Sequence, residues 1–170
     1  MAIAGIQALH CPLLDAVMPV ITALGNAGAV WLLCAVVLVC TKRHRRAGVL
    51  LLCALVLSAL VGSLILKPLI GRLRPFAADP ALDLIIRAPD GFSFPSGHTS
   101  SSFAAALSLT LCDRRIGIPA LVLAALIAFS RLYLMVHYLS DVVAGILLGC
   151  TSALLVRLAG RLLRKRWPAR

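Results

Sequence analysis

The stretch AGVLLLCALVLSALVGSLIL, residues 47–66, runs for 20 positions without a charged side chain. A transmembrane helix needs about 20 mainly apolar residues, so this stretch is long enough to cross a bilayer. The whole chain agrees with it, since 61% of the 170 residues are hydrophobic and only 14% are charged. A soluble domain of this length could not bury so much apolar surface. We therefore predict an integral membrane protein built from helices.

Further apolar segments lie on both sides of this stretch, joined by short links. Residues 1–15 place apolar side chains about one helical turn apart, which indicates a short amphipathic helix at the membrane interface or a frayed start to the first span. The prediction is an all-α polytopic membrane bundle of about five transmembrane helices plus this N-terminal interfacial helix. It forms one domain over 1–170, with a transmembrane bundle over 16–160 and a basic tail over 161–170. The other predicted spans are 16–40, 97–112, 116–136 and 141–160.

Charged residues are divided unequally between the two ends of the predicted helices. The links 42–46 and 113–115 and the C-terminal region hold twelve of the 17 Lys and Arg residues, against one carboxylate, Asp113. The remaining links balance five cations with five aspartates. The positive-inside rule then places the C-terminus in the cytoplasm and the balanced face on the outer side of the plasma membrane. A net charge of +11 arranged in this way reflects membrane topology, so we expect no nucleic-acid partner, and the oligomeric state stays open.

The first polar cluster on the balanced face is KPLIGRLRP, residues 67–75. Lys67 ends the second predicted span, and Arg74 stands directly before Pro75. Because a proline disfavours helical geometry in the residue before it, the helix should not continue through Arg74. These cations are candidates for holding an anion. Their ordinary interpretation is that of snorkelling side chains at the end of a helix.

The second cluster is FPSGHTS, residues 94–100. Pro95 and Ser96 are typical of a helix entry, which would place Gly97 and His98 in the first turn. The free N–H groups and partial positive charge of a helix N-terminus suit a phosphate, and Gly97 would let it approach the backbone. His98 beside that anion could act as an acid. An ordinary capped helix with an interfacial histidine is the alternative.

The third cluster is SRLYLMVHYLSD, residues 130–141, which contains Arg131, His137 and Asp141. A carboxylate that accepts from one imidazole nitrogen leaves the other nitrogen free to attack. Arg131 would not share a helix face with His137, so we predict a turn within this segment. A hairpin with interfacial polar residues is the alternative.

Charge topology places all three clusters at one membrane surface. Three cations, Lys67, Arg74 and Arg131, can neutralise the charge of a phosphate in the transition state. His137 can be the nucleophile, and His98 can protonate the leaving oxygen. The chain has no Glu, and its Asp and Cys residues do not form a pattern typical of a metal site, so we expect no metal and no cofactor.

The three clusters together resemble the three sequence motifs of the type 2 phosphatidic acid phosphatase superfamily, also called lipid phosphate phosphatases. Every motif position is filled without substitution, and the order and internal spacing match. The motif positions are Lys67, Arg74 and Pro75, then Pro95 to His98, then Ser130, Arg131, His137 and Asp141.

This resemblance implies a metal-independent phosphatase that works through a phosphohistidine intermediate. By position, His137 is the nucleophile, Asp141 orients it, and His98 is the acid that later activates water. The implied phosphate-binding residues are Lys67, Arg74, Arg131, Ser96 and the Gly97 backbone.

The small size of the chain and the segment LGNAG, residues 24–28, resemble short bacterial members that act on undecaprenyl diphosphate. The resemblance therefore implies hydrolysis of this carrier lipid to its monophosphate on the outer face, and an extra cation, Arg72, could serve a diphosphate head group. Phosphatidic acid or phosphatidylglycerophosphate is the alternative substrate. A non-catalytic small membrane protein is the alternative of another class.

Overall fold

The computed structural model describes residues 6, 8–79 and 82–166, and the regular elements within this part of the chain are all helical. A 3₁₀ turn, Asn26–Gly28, separates α1 from α2, and a π-helical stretch, Leu60–Leu66, joins α3 to α4. The predicted all-α architecture is thereby confirmed. The helices are α1 Pro12–Leu24, α2 Ala29–Cys40, α3 Arg45–Ala59, α4 Lys67–Ile70, α5 Pro75–Ala78, α6 Gly97–Cys112, α7 Arg114–Tyr133 and α8 Leu139–Arg166.

The number of membrane-crossing helices differs from the predicted five or so. Within the described residues, three helices are long and apolar enough to cross a membrane, namely α3 with its π-helical extension, α7 and α8. The pair α1 and α2 passes the same test only if the two are counted as one span with a 43° bend, which makes four. The predicted span 97–112 is helix α6, whose 16 residues fall short of that length.

The N-terminal helices divide at a different place from the one predicted. Residues 1–5 and 7 of the predicted interfacial helix lie outside the described residues. Pro12 begins α1, and the helix continues without interruption to Leu24, so residue 15 marks no boundary. The break comes at 25–28, where Gly28 has a φ of +68°, a conformation that glycine adopts without steric cost. The predicted single span over 16–40 is therefore two helices.

Helix α6, the shortest of the predicted spans, lies at the centre of the bundle and packs against α3, α7 and α8. Its Ser and Ala side chains let neighbouring helices approach closely, which is how helices associate inside a membrane. On α8, a Cβ atom added to Gly145 would lie 2.9 Å from both the Ser96 carbonyl oxygen and the Thr99 Cβ. A Cβ atom added to Gly149 would clash with the Ser100 carbonyl oxygen, so both glycines of this helix face pack directly on α6.

Large apolar side chains cover the outside of the bundle, where a soluble protein would carry polar ones. They belong to α1, α2, α3, α7 and α8, and many have more than half of their surface exposed. This surface suits lipid chains and supports an orientation with the helices in the bilayer. Examples are Leu33, Val37, Leu64, Val122, Leu147 and Leu158.

The antiparallel order of the helices gives the bundle two chemically different ends. Helices α3 and α7 run toward one end, and α6 and α8 start from it. The three polar clusters therefore meet at that end. At the other end, Arg43, Arg46 and Arg157 line one pocket with Leu111 and Cys112. The fold thus separates the cationic links from the predicted site.

Candidate active site

The third cluster forms a hairpin between two helices. Helix α7 ends at Tyr133 and α8 begins at Leu139, with Met135 at a φ of +55° in the turn. Arg131 lies in the last turn of α7, His137 in the connection and Asp141 in the first turn of α8. The predicted turn between Arg131 and Asp141 is confirmed. It brings a cation, an imidazole and a carboxylate together from two helices.

His137 is buried, with 4% of its surface exposed, and has a different partner at each ring nitrogen. Its Nδ1 lies 3.5 Å from Asp141 Oδ2, and its Nε2 lies 3.2 Å from Arg74 Nη1. The carboxylate therefore stands on one side of the ring and a guanidinium on the other. An anion bound to Arg74 would meet Nε2, which makes this nitrogen the one placed to attack.

The surroundings of His137 keep its imidazole neutral. Burial lowers the pKa of His137 to about 4, and the charges of Arg131 and Arg74 act in the same direction, against the hydrogen bond and charge of Asp141. An ordinary histidine has a pKa of about 6.5. At neutral pH the ring therefore has an unprotonated nitrogen, as a nucleophile requires.

Asp141 is completely buried and accepts several hydrogen bonds. Its Oδ2 accepts from the Ser93 hydroxyl and from the Tyr138 backbone N–H at 2.8 Å, and its Oδ1 accepts from Arg72 Nη1 at 2.9 Å. Arg72 also lies over the Tyr138 ring, 4.0 Å from its centroid. The sequence suggested Arg72 for a head group, but the structure pairs it with Asp141.

Arg74 reaches the site because the chain leaves helical geometry before it. Gly71, with a φ of +59°, ends α4, and Arg74 is extended at φ −77° and ψ 158°, as Pro75 predicts. Its guanidinium donates to the carbonyl oxygens of Gly91 at 3.0 Å, Asp90 at 3.1 Å and Val136 at 3.0 Å. These bonds hold the side chain beside His137.

Arg131 is 3% exposed and only partly satisfied by the protein. Its Nη1 donates to Thr22 Oγ1 at 2.6 Å, whereas its buried Nε has no hydrogen-bond partner among the described residues. Lys67 follows the π-helical stretch and is half-buried, and its charge interacts with those of Arg74 and Arg131. A group of like charges with a buried unpaired donor is suited to an anion.

Ser96 and Gly97 begin α6 as predicted. The Ser96 hydroxyl is buried and accepts from the Thr99 backbone N–H at 3.4 Å and from Thr99 Oγ1 at 3.0 Å, so it caps the helix. Gly97 is exposed, and a Cβ atom added there would meet nothing within 4 Å. The open space lies over the Gly97 backbone, whereas the Ser96 hydroxyl is occupied by the cap.

His98, in the first turn of α6, lies within electrostatic reach of Lys67, Arg74, Arg131 and His137. Its Nε2 lies 2.9 Å from Oδ1 of Asn26, in the break between α1 and α2. All of the predicted site residues are therefore at one end of the bundle.

Sequence reasoning missed the supporting residues Ser93, Thr22 and Asn26. Ser93 is adjacent to the second cluster, but nothing in the sequence links it to Asp141. Asn26 had two signals, since it is the only asparagine in the chain and lies in the segment LGNAG that the resemblance singles out.

A groove of about 380 Å³ leads away from this site along the bundle. Lys67 and His98 line it together with apolar side chains such as Leu32, Leu55 and Val56 from α2 and α3. The part of the groove near Lys67 and His98 suits a phosphate head group, and the apolar part suits a hydrocarbon tail.

Comparison with known proteins identifies relatives of this chain. The sequence model described as PAP2 superfamily matches residues 47–164. A decaprenylphosphoryl-5-phosphoribose phosphatase of Mycobacterium tuberculosis is 37% identical over 131 residues, covering 76% of this chain and 71% of that protein. The undecaprenyl-diphosphatase BcrC of Bacillus subtilis is 30% identical over 141 residues, covering 81% and 70%.

A solved structure is similar over almost the whole chain. It is the first transmembrane PAP2 type phosphatidylglycerolphosphate phosphatase from Bacillus subtilis. The TM-score is 0.76 at 26% identity, and the alignment covers 94% of this chain and 83% of that one.

Proposed function

The chain belongs to the PAP2 superfamily, and from this premise we propose that it is a membrane lipid phosphate phosphatase that hydrolyses undecaprenyl diphosphate to the monophosphate. One observation carries the assignment of the site. His137 Nε2 faces the Arg74 guanidinium at 3.2 Å while Asp141 stands at the opposite ring nitrogen. A phosphate held by Arg74 would therefore receive the lone pair of a histidine already oriented by a carboxylate.

In the first step, Nε2 of His137 attacks the terminal phosphorus atom, and the bond from this atom to the bridging oxygen of the diphosphate breaks, so that the lipid monophosphate is the leaving group. His98 gives a proton to that oxygen, and the product is a phosphohistidine at His137. Asp141 stabilises the positive charge that develops on the ring. In the second step, water attacks the phosphorus, His98 takes a proton from it, and the P–N bond breaks. Inorganic phosphate leaves and both histidines return to their starting states.

The phosphate is held by the three cations and by the start of α6. Arg131 supplies its unpaired Nε, Arg74 lies beside the nucleophile, and Lys67 adds a third charge. The backbone N–H groups at Gly97 face open space and can bind an oxygen. Ser96 belongs to this group because its hydroxyl caps α6, the helix whose first N–H groups bind the phosphate. The cations supply the charge neutralisation that a metal ion gives in other phosphoryl-transfer enzymes, so activity should not depend on a divalent metal.

The substrate proposal rests on the relatives and on the groove. Two relatives carry names that describe polyprenyl lipids, undecaprenyl-diphosphatase and decaprenylphosphoryl-5-phosphoribose phosphatase. The groove beside Lys67 and His98 offers an apolar surface for the first units of such a chain. Phosphatidylglycerophosphate is the second candidate because the structural relative from Bacillus subtilis is named for it. We treat residues 1–170 as one domain that carries this activity.

A side-by-side assay tests the proposed function. Purified protein in detergent, with EDTA present, is given undecaprenyl diphosphate, decaprenylphosphoryl-5-phosphoribose, phosphatidic acid or phosphatidylglycerophosphate, and released phosphate is measured. We expect the highest kcat/KM with undecaprenyl diphosphate and full activity with EDTA. A higher kcat/KM with another lipid would replace the substrate, and loss of activity that Mg²⁺ restores would contradict metal independence. Release from none of the four lipids would contradict the function.

The orientation is also proposed, from the unequal division of charges. The cationic end, with Arg43, Arg46 and Arg157, would lie in the cytoplasm with the C-terminus, and the active site would face outward across the plasma membrane. A cysteine introduced at the exposed Asp83, in a variant without the natural cysteines, should react with an impermeant thiol reagent in intact cells. Protection there, with labelling only after lysis, would reverse the orientation.

A further inference from the structure

The break between α1 and α2 brings a polar side chain to the acid histidine. We propose that Asn26 is a positioning residue that holds His98 Nε2–H, so that Nδ1 is the nitrogen that exchanges protons with the substrate. The inference rests on the proposed function, because it concerns the role of His98 in phosphate transfer. Asn26 lies outside the residues 47–164 that the superfamily model matches.

The contact between Asn26 and His98 is direct. Asn26 Oδ1 lies 2.9 Å from His98 Nε2, within hydrogen-bond range, and an amide oxygen accepts only from a protonated nitrogen. The backbone before Asn26 also packs on the ring, because a Cβ atom added to Gly25 would lie 2.8 Å from His98 Cδ2. The His98 ring therefore contacts the break between α1 and α2 at two residues, Asn26 and Gly25.

The backbone of the break is held in a costly conformation. Ala27, directly after Asn26, has a φ of +50°, and for a residue with a Cβ the left-handed region is sterically unfavourable. An uninterrupted helix would avoid that cost. Such outliers persist where the surrounding structure requires them, often at functional sites. Here the break separates α1 from α2 at the residue that contacts His98.

The hydrogen bond determines what His98 can do in each step. His98 is neutral without substrate and takes up a proton when the anionic phosphate binds. Because Nε2–H is bound to Asn26, this added proton is on Nδ1. That proton passes to the leaving oxygen as the phosphorus–oxygen bond breaks, which leaves a neutral ring with Nε2–H still on Asn26. The bare Nδ1 then accepts the proton of the attacking water. Without Asn26, the neutral ring could carry its proton on either nitrogen, and only one tautomer would be productive.

A second contact from helix α1 supports a role in the site for the region around the break between α1 and α2. Thr22, in the last turn of α1, accepts from Arg131 Nη1 at 2.6 Å and is itself buried. Thr22 contacts a phosphate-binding cation, whereas Asn26 contacts the proposed acid. Substitutions at these two positions should therefore have different kinetic signatures.

Kinetics with two leaving groups separate positioning of the acid from a general structural role. Dodecyl phosphate leaves as an alkoxide and needs a proton, whereas p-nitrophenyl phosphate leaves as a stable phenolate and needs little help. For Asn26→Leu we expect kcat/KM to fall about 100-fold with dodecyl phosphate and less than about 10-fold with p-nitrophenyl phosphate. Asn26→Asp, which keeps an oxygen acceptor, should stay within about 10-fold of wild type with both. Thr22→Val, the matched control, should lower both values by a similar factor.

Nitrogen NMR of histidine-labelled protein gives a readout that does not depend on turnover. The four histidines can be assigned by single substitutions, and His98 should show a protonated Nε2 and a bare Nδ1. Asn26→Leu should mix the two tautomers, and Asn26→Asp should not. A bare Nε2 in wild type, or equal kinetic losses with both substrates in Asn26→Leu, would overturn the positioning role while leaving the proposed function intact. If the wild-type protein hydrolysed none of the phosphate esters and none of the four lipids, both the positioning role and the proposed function would be contradicted.

Discussion

Replacing His137 with Ala should abolish phosphate release, with kcat lowered at least about 10⁴-fold. The reason is that the proposed mechanism passes through a covalent bond to Nε2, and a methyl group can form no such bond. Removal of a nucleophile has among the largest effects of any single substitution in an enzyme. The measurement is release of inorganic phosphate from the best lipid substrate found in the side-by-side assay.

Two further measurements make the His137 prediction specific. Wild type quenched early with ³²P-labelled substrate should carry acid-labile label, and His137→Ala should carry none. The matched control is His44→Ala, which removes a histidine at the opposite end of the bundle and should keep wild-type activity. Thermal unfolding in detergent checks that both variants are folded. Substantial turnover in folded His137→Ala would show that another residue is the nucleophile.

Replacing Asp141 with Asn should lower kcat about 10³- to 10⁴-fold, the size of effect seen when the carboxylate of a catalytic triad becomes an amide. An amide can donate to His137 Nδ1, which would place the ring proton on Nε2 and remove the attacking lone pair. It also removes the charge that faces Arg72 at 2.9 Å. The expected signature is therefore a loss in kcat, measured by phosphate release, with phosphohistidine formation slowed in the same proportion.

The control for Asp141 is Asp83→Asn, because Asp83 is an exposed carboxylate at the same end of the bundle. That variant should behave as wild type. Asp141 is fully buried and accepts from Ser93 and Tyr138 as well, so its replacement will also lower stability. Activity is therefore compared at a temperature where thermal unfolding shows the variant to be folded. An activity within about 10-fold of wild type under those conditions would contradict the orienting role.

The network around Asp141 shows how burial and charge are combined in this site. A buried carboxylate needs hydrogen bonds or opposite charge, and here Ser93, Tyr138 and Arg72 supply both. The pKa of His137 falls to about 4 because burial and the nearby arginines outweigh the hydrogen bond and charge of Asp141. The site therefore keeps Asp141 charged and His137 neutral, which suits a carboxylate that orients a neighbouring nucleophile.

The sequence by itself determined the class of the protein and indicated most residues of the candidate site. An uncharged run at 47–66 is long enough for a membrane span, and this follows from chain length and hydropathy without any knowledge of packing. The motif positions can be recognised because the proposed chemistry requires side chains of particular types at particular spacings. The turn between Arg131 and Asp141 was also predictable, since no single helix could bring Arg131 and His137 to one face.

Only the tertiary structure decided how helices far apart in sequence support those residues. Ser93 meets Asp141, Thr22 meets Arg131 and Asn26 meets His98 across long separations, and no local pattern encodes such contacts. The short helix α6 became the centre of the bundle because small side chains allow close packing, which a hydropathy profile does not register. The charge of Arg72 suggests a contact with a diphosphate head group, and only the structure shows that it pairs with Asp141. Local chemistry can be read along the chain, whereas the partners of each group depend on which helices pack together.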